Sequence, residues 1–116
     1  MMLDTYQPNP TGSYEERRLA YLEFCAAQSP GGRTGFFSQI ARLELGQEVD
    51  EAPLREALAF VDARNDCCDF SAAGLLRILY RYRESPHISR SLIAEIEERI
   101  LNFKYGWDDL NGDNHR

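Results

Sequence analysis

Apolar positions along this chain recur three and four residues apart in about five successive runs, and no stretch shows sustained alternation. Ser13 with Glu16 matches a capping box. Tyr14, Arg18, Tyr21, Leu22, Cys25 and Ala26 follow at helical spacing and predict a first helix over 13–28, with Arg17 and Arg18 as its solvated flank. Ser29-Pro30-Gly31-Gly32 breaks that helix, and the run through Gly35 matches no phosphate-binding loop, so it reads as an interhelix turn. Thr34 is placed to cap a short helix through Phe36, Phe37, Ile40, Ala41 and Leu45, and Gly46 ends it.

Asp50-Glu51-Ala52-Pro53 is a helix start, with proline tolerated in the first turn and carboxylates facing the dipole. Leu54, Ala57, Leu58 and Val61 then form one stripe, which Phe60 broadens. Next comes a knot of polar groups, Arg64, Asn65, Asp66 and Asp69, directly before the most apolar helical run. Arg64, Asp66 and Asp69 read as a structural joint between two helices, with Asp69 as the N-cap of the second and Arg64 at the carboxyl end of the first. Leu75, Leu76, Ile78, Leu79, Tyr80 and Tyr82 occupy more than one face of that second helix. It therefore belongs at the centre of the core or carries a surface for another segment, and Gly74 within it permits a close approach. Ser89 starts the last helix, whose stripe is Leu92, Ile93, Ile96, Ile100 and Phe103 and whose wet face is Glu95, Glu97, Glu98 and Arg99.

The expected class is all-α, about five helices in antiparallel hairpins. An irregular arm over 1–12, interrupted by Pro8, Pro10 and Gly12, precedes a helical domain over 13–106 and a polar tail over 107–116.

Composition narrows the function classes. With 116 residues, 43% of them hydrophobic, the chain has the length of one domain and can bury a modest core. A formal net charge of -6 lacks the electrostatic footprint of a nucleic-acid binder and disfavours anionic membranes. No apolar run has the length of a span and the amino terminus lacks a signal pattern, so a cytoplasmic chain is expected. Three cysteines, with Cys67 and Cys68 adjacent, do not suit a secreted disulfide framework, and with His87 and His115 they lack zinc spacing. No metal and no cofactor is expected. Both histidines fall in loop or tail segments and read as surface groups.

The tail supplies the candidate chemistry. Asp109, Asn111 and Asp113 occupy the first, third and fifth places of a calcium loop, but Asn114 replaces the glycine of the sixth and no closing glutamate follows. Trp107 beside Asp108 and Asp109 suits sugar recognition, in which an aromatic face stacks on the ring and carboxylates bind its hydroxyls.

The run from Arg64 to Phe70, with Leu75-Leu76-Arg77-Ile78-Leu79-Tyr80 and then Ile100 to Asp109, resembles the amino-terminal part of large bacterial proteins related to the α/α-toroid, or six-hairpin, glycosidases. The resemblance spans roughly the second half of the chain. It implies a segment of a carbohydrate-active toroid, with Trp107, Asp108 and Asp109 near the sugar site and Asp66 and Asp69 as support. Glycoside hydrolysis needs two carboxyl groups about 5–10 Å apart across the bond, and Asp108 and Asp109 are neighbours on one tail. The chain alone is therefore expected to be inactive, with self-association or a missing carboxyl-terminal remainder covering its apolar surface. The alternative is a small acidic all-α interaction module binding a protein through Phe36, Phe37, Tyr80 and Tyr82.

Overall fold

The computed structural model of the chain describes residues 6–7, 10–28, 36–64 and 68–103. Five helices account for them: α1 (Tyr14–Ala26), α2 (Phe37–Glu44), α3 (Glu51–Asp62), α4 (Cys68–Tyr82) and α5 (Arg90–Leu101). No strand occurs among the described residues, and no helix there is long and apolar enough to cross a membrane.

The helix starts follow local chemistry. Ser13 Oγ accepts from the Glu16 amide at 3.1 Å while Glu16 Oε1 accepts from the Ser13 amide at 3.4 Å, closing the capping box. Asp50 caps α3 by accepting from the Ala52 amide. Ser89 caps α5 through the Leu92 amide, and its own amide and hydroxyl reach the Glu51 carboxylate at 2.8 and 2.9 Å, which ties the starts of α3 and α5 together. Helix α2 departs from expectation, because Phe36 holds its cap position with no side-chain bond to the first turn; Thr34 lies outside the described residues. The helix is held instead by what it buries.

Asp69 also requires a correction. Helix α4 already begins at Cys68, so Asp69 lies within its first turn and is not the N-cap. The carboxylate still faces the positive end of the helix. Its Oδ1 is buried without a hydrogen-bond partner among the described residues.

Helices α3, α4 and α5 pack on one another, α1 packs on α2, and α2 connects that pair to α4. The core gathers Leu54, Leu58 and Val61 from α3, Leu75, Ile78 and Leu79 from α4, and Leu92, Ile93 and Ile96 from α5, with Ile88 closing one end. The expected α3 and α5 stripes are thus the buried faces. Helix α1 is peripheral, with only Ala26 fully buried, and Tyr6 from the arm packs edge-on against Tyr21 at 5.1 Å.

Two contacts fasten the α1–α2 pair to the rest. The Phe36 ring lies against Gly74 of α4, where an added Cβ would come 2.5 Å from Phe36 Cε2 and 2.7 Å from Cζ. Gly74 thereby permits the close approach expected of it, and the neighbour is a ring at the start of α2. The second contact is polar and centres on Glu44.

Candidate functional site

A groove of about 430 Å³ opens where α1, α2 and α4 meet, over the seam that Gly74 creates. Leu22 from α1 and Phe37, Ile40 and Ala41 from α2 supply its apolar wall. Phe37 stacks on the buried Phe36 ring with centroids 4.3 Å apart, so it is held in place although nearly half exposed. Arg18 from α1 and Arg77 and Arg81 from α4 form the polar rim.

Glu44, at the last position of α2, organises one end of this rim. Its Oε2 accepts from Arg18 Nη2 at 2.7 Å, and its Oε1 faces Arg81 Nη2 at 3.4 Å and accepts from the Tyr82 hydroxyl. One carboxylate therefore binds groups from α1 and α4 and holds three helices in register. The Tyr82 hydrogen bond, followed by the Arg18 and Arg81 interactions, outweighs partial burial and keeps the Glu44 carboxyl below its ordinary range. Burial, reinforced by the hydrogen bond and charge of Glu44, pushes Tyr82 up to about 12. Both shifts maintain the same state at neutral pH: a carboxylate accepting from a neutral phenol.

Arg77 is different. It lines the groove one turn before Arg81, is exposed, and makes no ion pair or hydrogen bond among the described residues.

Among the described residues the groove carries one carboxylate, Glu44, already engaged by three donors. No group of three His, Cys, Asp or Glu side chains gathers as a metal site among the described residues. Cys68 is buried and Cys25 half-buried.

The sequence-derived candidates fall elsewhere. Trp107, Asp108 and Asp109, the calcium-like Asp109, Asn111 and Asp113, and Asp66 of the polar joint lie outside the described residues. Arg64 follows the end of α3 with a left-handed φ of 56°, and its guanidinium lies 4.3 Å from the centroid of the Phe103 ring. It thus joins the end of α3 to the end of α5, while Asp69 lies in the first turn of α4. Among the four aromatic groups expected on an interaction surface, Phe36 and Tyr82 are buried and only Phe37 and Tyr80 are exposed. Phe36 is consumed by the Gly74 seam and Tyr82 by the core and Glu44.

Sequence reading placed Arg18 on the solvated flank of α1, whereas it pairs with Glu44, and it gave no site role to Glu44, Arg77 or Arg81. The available signal was an arginine pair at positions 77 and 81 on one face of an otherwise apolar helix. The pairing of Arg18 with Glu44 spans 26 residues and leaves no local trace. In comparison with known proteins, no family model, no curated protein and no solved structure matches this chain.

Proposed function

We propose that this chain is a helical-hairpin segment of a cytoplasmic, carbohydrate-active protein of the α/α-toroid, glycosidase-like kind, and that by itself it binds without catalysing. In that architecture antiparallel helix pairs stand side by side, each burying one flank on the pair before it and offering the other to the next. The observation that carries the reading is the outer face of α4. Ala73, Leu76 and Tyr80 lie there at helical spacing, all exposed, with Tyr80 89% accessible, while the opposite face of the same helix fills the core. A second helical pair laid on this face would remove from water what the described helices leave uncovered. Sugar contact falls to Trp107, whose indole offers an apolar stacking face, and to Asp108 and Asp109, whose carboxylates accept from hydroxyls.

Sedimentation velocity on the purified chain, with a glycoside-hydrolysis panel run on the same sample, tests this proposal. Concentration-dependent association that Tyr80→Glu abolishes, with no turnover of any glycoside, is the expected result. A wild-type monomer that binds no apolar dye would remove the docking face, and release of any sugar by the chain would overturn the non-catalytic assignment.

The exposed Phe37 favours one second reading, an acidic interaction module that docks a protein partner on the α1–α2 side of the molecule. Association that survives Tyr80→Glu but is lost in Phe37→Glu would select it.

A further inference from the structure

We infer that the groove between α1, α2 and α4 is a binding site for a small monoanion with an apolar body, a carboxylate of the aromatic-acid class, held by Arg77 and Arg81. The charge balance of the groove is the first argument. The chain as a whole carries -6, yet this groove gathers three guanidinium groups against one carboxylate. Glu44 has committed both oxygens, one to Arg18, which Glu15 also meets at 4.0 Å from outside the groove, and the other to Arg81 and Tyr82, so it has no oxygen left for Arg77. Arg77 has no anionic partner among the described residues, and Arg81 meets Glu44 through a single nitrogen at 3.4 Å. Each guanidinium presents five N–H donors in a fixed fork, so donors remain open on both. Their spacing of four residues places them one above the other on the same face of α4.

The apolar wall supplies the second argument. Leu22, Ile40 and the ring of Phe37 line the space beside those guanidinium groups. A volume of about 430 Å³ lies within the roughly 300–1,000 Å³ range of small-molecule sites. The anionic head belongs at the Arg77 end, because Glu44 repels a second carboxylate at its own end of the rim. A monoanion is therefore preferred over a dianion, a neutral molecule leaves Arg77 unanswered, and a cation meets net repulsion.

The test is a titration of the full chain with naphthalene carboxylate and, separately, with its neutral carboxamide, followed in amide correlation spectra. The carboxylate is expected to move the backbone amides of Phe37 and Gly74 and to bind about tenfold more tightly than the carboxamide. Arg77→Gln replaces an exposed side chain and should erase that preference, whereas Arg17→Gln, a cation of α1 outside the groove, should retain it. Unmoved Phe37 and Gly74 amides at millimolar carboxylate, equal affinity for the two compounds, or a preference that survives Arg77→Gln would each overturn the assignment.

Discussion

Replacing Gly74 by alanine sets two effects of opposite sign against each other, and the structure decides between them. In an exposed helix interior the change would stabilise by about 1 kcal/mol, because alanine loses less backbone freedom on folding. At this position the new methyl carbon would come 2.5 Å from Cε2 and 2.7 Å from Cζ of Phe36, well inside contact distance. That ring is 2% exposed and stacked on Phe37, so swinging it aside sacrifices burial of an aromatic side chain, about 1.5–3 kcal/mol if complete. Partial adjustment costs about 1–3 kcal/mol, as overpacking does in other cores. Overpacking minus the helix gain leaves a net destabilisation of about 0–2 kcal/mol, and a melting temperature lower by up to roughly 10 °C. Urea denaturation followed by helical circular dichroism measures it, and Phe36→Leu provides the cycle: in that background Gly74→Ala should become neutral or stabilising. A Gly74→Ala chain stabilised by about 1 kcal/mol would refute the Phe36–Gly74 seam as the junction between α2 and α4.

Glu44→Gln should destabilise the chain by about 1–2 kcal/mol at neutral pH, since the charge that binds Arg18 and Arg81 is lost. Because the folded state holds this carboxyl below its ordinary value of 4.5, its contribution is present above that value and disappears as pH falls through the folded one; acid titration of wild-type stability should show this loss and the variant should not. Tyr82→Phe should cost about 1 kcal/mol by removing the donor to Glu44. Tyr82 is raised from 10.0 to about 12, so its contribution is full below the first value and fades toward the second; urea midpoints across that range should fall in the wild type more than in the variant. Ser89→Ala should cost about 1 kcal/mol or more, as it loses both the N-cap and the hydroxyl bond to Glu51 while the backbone-amide bond to Glu51 remains, whereas Asp69→Ala should cost less than about 0.5 kcal/mol, because a lost dipole attraction is offset by removing a buried oxygen without a partner among the described residues. Equal losses for the two variants, measured by chemical denaturation, would return Asp69 to a capping role.

Much of the helical layout was legible because its determinants are local. A capping residue and its bond lie within three positions, and so Ser13, Asp50 and Ser89 could be recognised directly. Stripes such as Leu54, Ala57, Leu58 and Val61 carry the period of the helix they bury. Gly74 announced a close approach without disclosing what would approach. Asp69 was misread because Cys68, a small hydrophobe, occupies the first helical turn and shifts the boundary by two residues, within the usual scale of such errors. Phe36 and Tyr82 were assigned to a surface because an aromatic residue on a helix apolar on several faces carries no mark of which face turns inward. The groove was not legible at all. Its parts come from α1, α2 and α4, and Glu44 joins residues 26 and 38 positions away, so only the packing of the helices brings them together.

The measurement that bears most directly on the proposed function is a tryptophan-fluorescence titration of the chain against plant and bacterial oligosaccharides, since Trp107 is the sole tryptophan. Binding by an indole and two neighbouring carboxylates on a short segment should be weak, in the millimolar range, about -4 kcal/mol. At least one oligosaccharide should shift the Trp107 emission saturably, and Asp108→Ala with Asp109→Ala should weaken that shift while no glycoside is turned over. An emission spectrum unchanged across the whole panel would contradict the carbohydrate reading.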